Sequence, residues 1–271
     1  MTKVDLHVHT KYSDGNLSLE EVLNLAVNEN LDEIAITDHD TIINLKNYKE
    51  LEQRYSIRII PGIEIPTNQR KLHILGYGIT DYDIVESVLY DLKIYNENRN
   101  RETIDILRTE GIDISFDEVK KIAVSDVVTY RDIVKYMYQM GYVDDPREVY
   151  RRYIGKGTKA YVPSKELSIE EVLQLIERGN GISVLAHPFT ISNDIDLNIL
   201  ISQMKEYGLS GIEIYPPKLN QKQIAEYEFM AKKYELFKTI GTDFHDCHYD
   251  KLGIEVDDNY LDHFHNKVLK R

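Results

Sequence analysis

Six of the nine histidines in this sequence fall in or just after short apolar runs, in company with carboxylates. Val4-Asp5-Leu6-His7-Val8-His9 alternates apolar and polar residues, so a regular strand would put Val4, Leu6 and Val8 on one face and Asp5, His7 and His9 on the other. A lone His-x-His pair reads most simply as structural. Here Asp14 follows in Ser13-Asp14-Gly15, His39 in Thr37-Asp38-His39-Asp40 and Glu64 in Pro61-Gly62-Ile63-Glu64. His73 follows in Leu72-His73-Ile74, His187 in Ala186-His187-Pro188, and Asp243 and His245 in Thr242-Asp243-Phe244-His245. Bare charges are costly to bury, and polar groups repeated at the ends of six apolar runs point to one shared cluster. Imidazole nitrogens and carboxylate oxygens without thiolates suit manganese, zinc or iron. A hydroxide bridging two such ions is a nucleophile at neutral pH. His248, His263 and His265 lie in polar surroundings and are expected at the surface, with His248 a candidate for the site rim.

The elements that must position these groups alternate. Candidate strands are Val4–His9, Glu33–Asp38, Arg58–Ile63, Leu72–Tyr77, Ile182–Ala186, Gly211–Tyr215 and Phe237–Thr242. Amphipathic helices lie between them, two opened by capping boxes, Ser18 with Glu21 and Ser168 with Glu171. Seven strands with crossover helices suit an α/β barrel of parallel strands, with the chemistry at the strand ends. The alternation fails between about residues 83 and 159, where helix follows helix. That stretch is expected to be an inserted helical subdomain, a cap, in a barrel formed by residues 1–82 and 160–271.

The composition is 42% hydrophobic and 29% charged, ordinary for a globular chain. A single cysteine, Cys247, excludes an internal disulfide and a thiolate-rich zinc site. The start lacks the pattern of a signal peptide and no stretch reaches membrane-spanning length, so a cytoplasmic location with no membrane partner is expected. The net charge of −13 argues against a general nucleic-acid coat. Basic residues nevertheless gather at Arg99, Arg101 and Arg108, and from Arg147 through Arg151, Arg152 and Lys156 to Lys159.

The segments DLHVHTKYSDG (5–15), ITDHD (36–40), PGIE (61–64), HILGY (73–77), LAHP (185–188) and GTDFH (241–245) resemble, in order, the motifs of the PHP superfamily (polymerase and histidinol phosphatase). The resemblance implies a distorted (β/α)7, TIM-like barrel holding two to three divalent metal ions. It implies that His7, His9, Glu64 and Asp243 hold one ion, Glu64, His73 and His187 a second with Glu64 bridging, and Asp14, His39 and His245 a third. His187, Glu64 and Asp243 would also serve catalysis, and a third-metal water or a rim residue such as His187 could be the general acid.

Within the superfamily, Asp14, the stretch 155–189, Arg99 and Arg131 are similar to nucleoside 3′,5′-bisphosphate phosphatases and 5′-to-3′ exoribonucleases. One departure is Asp132-Ile133, where that subgroup usually has proline or threonine followed by histidine. The expected function is a metal-dependent phosphatase that removes phosphate from a small nucleotide carrying two phosphates. Arg99 and Arg131 would grip the second phosphate through bidentate forks. An exoribonuclease acting on short RNA, a histidinol-type phosphatase, a metal-dependent amidohydrolase and a non-catalytic regulator that kept the barrel are the alternatives. No obligate protein partner is evident.

Overall fold

The first strand is buried along most of its length, but not with the face pattern that its alternation predicts. In the computed structural model, which describes residues 1–42, 47–123, 127–214, 219–248 and 251–268, β1 (Thr2–Val8) pairs in parallel with β2 (Glu33–Ile36), and their register shifts between Asp5 and Val8. Val4 and Leu6 join one apolar cluster, with Leu75, Tyr77, Val184 and Phe264. Val8 joins another, with Val22, Leu23 and Ala26 of α1 (Leu19–Asn28). An irregularity of this kind re-aims the side chains beyond it.

The chain divides into two compact units, Met1–Ser87 with Leu167–Arg271, and Val88–Glu166. In the first, α2 (Tyr48–Tyr55) leads to β3 (Arg58–Pro66), β4 (His73–Tyr77) and the start of α3 (Tyr82–Thr109). The second holds the remainder of α3, then α4 (Phe116–Ile122), α5 (Tyr130–Gln139) and α6 (Pro146–Val149), the last running into a π-helical turn at Tyr150–Ile154. The first unit resumes with α7 (Ile169–Arg178), β5 (Ile182–Leu185), α8 (Leu197–Glu206), β6 (Gly211–Glu213), α9 (Gln221–Lys233), β7 (Phe237–Thr239), β8 (Ile254–Val256) and α10 (Asp262–Val268). Ser18 and Ser168 cap α1 and α7 with Glu21 and Glu171 as their spacing requires. Tyr215, at the end of the candidate strand Gly211–Tyr215, lies outside the described residues.

The sheet has eight strands in the order β7-β6-β5-β4-β3-β2-β1-β8. It departs from a uniformly parallel barrel in two places. β4 runs antiparallel to both β3 and β5, and β8, absent from the sequence pattern, pairs antiparallel with the start of β1. The sheet curls until the chain after β7 meets β1: Leu6 N donates to Ile240 O (3.0 Å), Phe244 N to His7 O (3.2 Å) and His9 N to Phe244 O (2.9 Å). These bonds close an α/β, TIM-like barrel. The close approach needs Gly241, where a Cβ would collide with the backbone and side chain of His7.

Inside the curl, Tyr77 of β4 donates its buried hydroxyl to Leu6 O of β1 at 2.6 Å and meets Phe264 of α10 edge-on, ring centroids 5.2 Å apart. Burial raises the Tyr77 pKa well above its ordinary value, so the hydroxyl remains a donor. The second unit has its own core, including Ile104, Val119, Ile133, Tyr136, Met137 and Val149.

Tyr77→Phe removes the donor and leaves a buried carbonyl facing the phenyl edge. The variant is expected to lose about 1–3 kcal/mol of unfolding free energy in urea, with unchanged far-UV circular dichroism. A loss below about 0.5 kcal/mol would mean that Leu6 O does not depend on this donor.

Candidate metal centre

Glu64 is 1% exposed in the interior of β3, and both of its oxygens face imidazole nitrogens. Oε1 lies 2.9 Å from His73 Nδ1 and 2.8 Å from His187 Nε2. Oε2 lies 3.3 Å from His7 Nε2, 3.1 Å from His9 Nε2 and 3.3 Å from His39 Nδ1. His7 and His9 arrive at the end of β1, and His39 from the loop after β2, bridged to Glu64 of β3. His73 begins β4 opposite Pro66, so the antiparallel reversal carries it back beside Glu64. His187 follows β5 at φ 27° and opens the 3-10 turn Pro188–Thr190.

The chain that closes the barrel supplies the rest. Asp243, at φ 54°, puts Oδ1 3.5 Å from His7 Nε2 and 3.4 Å from His9 Nε2. The loop after β1 turns tightly, with Ser13 N and Gly15 N both donating to Thr10 O at 3.0 Å. A Cβ at Gly15 would strike the His9 carbonyl. The turn sets Asp14 Oδ1 3.2 Å from His245 Nε2 and 3.6 Å from His9 Nδ1, and Oδ2 3.8 Å from His39 Nε2.

The nine residues singled out as metal ligands thus lie together. The ligand atoms of eight of them gather, within 4.8 Å of one another in each case, in three overlapping groups: His7, His9, Glu64 and Asp243; His39, Glu64 and His73; and His9, Asp14, His39 and His245. His187 reaches the cluster through Glu64 Oε1, beside His73. His39 stands between two groups, Nδ1 toward Glu64 and Nε2 toward Asp14. His248 is exposed and groups with Asp246 and Cys247 instead. His265, expected at the surface, is half-buried and bonds buried Glu33 at 3.0 Å, tying α10 to β2.

The donor set fits divalent cations. His7 Nε2 and His9 Nε2 are 3.1 Å apart, both facing the same two carboxylates. Buried His39 Nδ1 lies 3.3 Å from Glu64 Oε2 yet has no hydrogen-bond partner among the described residues. A nitrogen aimed at a carboxylate oxygen without hydrogen-bond geometry is what a shared cation would require. The rings also stack closely, His9 on His245 at 4.2 Å and His7 on His187 at 5.6 Å.

Electrostatics divides the imidazoles. Burial alone would lower the His7 pKa, but Glu213, Glu64 and Asp243 outweigh it and raise it well above normal. Burial likewise opposes protonation of His9, yet Asp243 and Glu64 raise its pKa to about 9. Burial prevails at His39 and lowers it to about 4. At Glu64 burial favours the neutral acid, but His39 and His7 hold the pKa well below the usual range. Asp243 is lowered in the same way by His7 and His9.

Three buried carboxylates absent from the expected ligand set back this cluster. Asp38 accepts from Thr10 N and Thr10 Oγ1 at 2.7 Å and from Ser13 Oγ at 2.6 Å, which fixes the Asp14 loop. Asp5, its pKa raised by burial to about 6, accepts from Thr242 N and Oγ1, Gly253 N and His7 N. Glu213 meets His7 Nδ1 at 3.0 Å and accepts from His187 N at 2.7 Å. The signal that exposed the ligands, a charge inside an apolar strand run, also marks Glu213 in Gly211-Ile212-Glu213-Ile214.

A family model described as PHP domain matches residues 5–208. The chain is 30% identical over 260 residues to a 5′-3′ exoribonuclease of Haemophilus influenzae, covering 94% of each protein. It is 26% identical over 251 residues to a 3′,5′-nucleoside bisphosphate phosphatase of Chromobacterium violaceum, covering 90% of this chain and 88% of the relative. A solved structure from Bifidobacterium adolescentis shares the fold at 21% identity, with a TM-score of 0.77 over 99% of this chain and 98% of the other.

Ligation needs neutral imidazoles, so cations must displace the protons that His7 and His9 hold. Apparent Mn²⁺ or Zn²⁺ affinity should therefore rise with pH up to about 9, with proton release on binding. Calorimetry in buffers of different ionisation enthalpy measures both. Affinity that stays flat with pH, without released protons, would remove His7 and His9 from the ligand set.

Proposed function

The chain belongs to the PHP domain family and is a metal-dependent phosphoesterase, and from that premise we propose that it removes phosphate from a nucleoside 3′,5′-bisphosphate or a similar small nucleotide. The observation that carries the hydrolytic part is Glu64, whose two oxygens are shared among five imidazoles. His7, His9, Asp14, His39, Glu64, His73, His187, Asp243 and His245 would hold two to three divalent ions, with manganese, zinc and iron the suited metals. Bound there, the ions would supply Lewis acidity to the phosphoryl group and an activated water.

The chain's own groups have separable tasks. Glu64, its pKa held well below the usual range by the imidazoles around it, spans the ligand groups on both sides of its carboxylate. Asp243, kept ionised by its histidine neighbours and with its side chain 28% exposed, is the carboxylate of the His7–His9 group that solvent reaches. Its carboxylate can accept a hydrogen bond from an incoming water. His187 has Nε2 on Glu64 and Nδ1 3.0 Å from Thr190 Oγ1, which favours a ligand role over donating a proton to the leaving group.

Substrate choice is assigned to arginines of the second unit. Arg99 is half-buried, with Nε donating to Val162 O at 2.6 Å and Nη1 to Asn100 Oδ1 at 2.7 Å. Burial lowers its pKa, and Tyr161, Tyr150 and Tyr130 stand near it. A guanidinium held on two edges has already lost much of its side-chain freedom, which favours anion capture. Arg131 is exposed in the first turn of α5 and is the second proposed phosphate contact. Arg101 pairs with Glu97, Arg147 with Asp145, Arg151 and Arg152 with Glu148, and Lys159 with Glu110. Ile133 is fully buried in the core of its unit, and Asp132 caps α5 through Thr129, so neither replaces the subgroup's histidine as a substrate contact.

The 30% identity to an exoribonuclease supports a second reading, removal of nucleotides from the 5′ end of short RNA. The same metal centre serves both. Phosphate release by Mn²⁺-loaded protein from a nucleoside 3′,5′-bisphosphate, its 5′-monophosphate, histidinol phosphate and a 5′-phosphorylated RNA separates them by product. The bisphosphate is expected to be preferred, and mononucleotide release from RNA as the faster reaction would favour the exonuclease. No release from metal-loaded protein would overturn both.

Arg99→Ala should raise KM for the bisphosphate at least about tenfold, with metal content and kcat little changed. An unchanged KM would sink the arginine assignment.

A further inference from the structure

Glu213 ends β6 with 1% of its surface exposed, outside the groups of ligand atoms that surround Glu64. Each of its oxygens is taken by a different strand's contribution to the centre. Oε1 lies 3.0 Å from His7 Nδ1, the ring nitrogen opposite the one that faces Glu64 and Asp243. Oε2 accepts from the backbone N–H of His187 at 2.7 Å, at a residue held at φ 27°. The two rings served stack at 22° to one another. Gly241 leaves space for this carboxylate, since a Cβ there would come within 3.0 Å of Glu213 Oε1 as well as striking His7.

We infer that Glu213 is a positioning residue that selects the metal-binding nitrogen of His7 and, through the same carboxylate, fixes the backbone pose of His187. The chemistry follows from counting acceptors. The backbone N–H of His187 can only donate, so Oε2 must accept. Oε1, 3.0 Å from Nδ1, takes the acceptor's place there and keeps the His7 proton on Nδ1, which leaves the Nε2 lone pair directed at the cluster. With the opposite tautomer, Nε2 would carry the proton and could not ligate. The inference rests on His7 being a metal ligand, as proposed above.

Glutamine separates this role from packing. Glu213→Gln keeps the shape but has one acceptor and one amino group for two sites that both need an acceptor. If its oxygen takes the His187 N–H, its amino group faces His7 Nδ1 and drives the proton to Nε2. Turned over, it sets two donors against each other at His187. Glu213→Ala leaves room for water, which can accept where the carboxylate did. Gln should therefore bind metal no better than Ala, the reverse of what a space-filling role predicts.

The test is Zn²⁺ affinity by chelator competition, with histidine ¹⁵N spectra of the Zn²⁺-loaded proteins and their thermal unfolding. The wild type is expected to show His7 ligated through Nε2 with a proton on Nδ1. E213Q should lose about ten- to a hundredfold in affinity while still unfolding cooperatively. Wild-type affinity in E213Q beside a weakened E213A would overturn the inference in favour of packing, as would ligation of His7 through Nδ1. His7→Ala with undiminished Zn²⁺ affinity would instead overturn the metal centre, whatever the Glu213 variants do.

Discussion

A carboxylate without access to water, enclosed by five imidazoles, is the constraint around which this molecule is built. Glu64 cannot be solvated at 1% exposure, and an ionised carboxylate in such a place must be matched by positive charge. Without cations, the protons of His7 and His9 supply that charge. Those protons then sit within a few ångströms of one another, on nitrogens 3.1 Å apart. Divalent ions shared by the same atoms remove the repulsion and satisfy both Glu64 oxygens together. The cluster is therefore better matched to metal than to any set of protons it can hold.

Bringing those atoms together dictates the departures from a regular barrel. A β4 parallel to β3 would begin at the other end of the sheet, and His73 would be a strand length from Glu64. The antiparallel pairing sets His73 opposite Pro66 instead. The shifted register in β1 lets Leu6 stay in one core and sends Val8 into the other. The three-residue β7 ends early, and the chain beyond it binds β1 through residues 240–244, which lays Asp243 and His245 across His7 and His9. Irregular pairing at the rim, beside a functional centre, is where such features concentrate.

Strand positions, and the polar residues that gather around Glu64, were legible because they rest on residue type and period. Six polar-ended apolar runs are conspicuous, and capping boxes mark where α1 and α7 begin. The face assignment in β1 was not legible, since alternation assumes an unbroken ladder and only a partner strand can shift the register. Nor was β8, whose three residues Ile254–Val256 are too few for a period to show. Asp38 lay inside a recognised motif and Asp5 on the face assigned to the histidines, yet their work is to hold backbone N–H groups, a role that depends on neighbours distant in sequence. Ile133 shows the converse. It occupies a position where histidine was the reference, and its burial with Tyr136 and Met137 makes it part of a core.

The backing carboxylates also account for backbone conformations that would otherwise be unfavourable. His187 and Asp243 both have positive φ, a region that side chains other than glycine adopt at a cost of roughly 1–3 kcal/mol each. Such conformations persist only where surrounding bonds over-determine them. Glu213 holds the His187 N–H, while Asp5 holds the N–H and hydroxyl of Thr242 immediately before Asp243. Each of these acceptors is itself a buried carboxyl group, so the device that holds the strained backbone adds acidic groups beside Glu64. Strain, backing carboxylates and ligand cluster are thus mutually dependent. The acids secure the backbone, the backbone aims the ligands, and cations held by the ligands would offset the charge of Glu64 and Asp243.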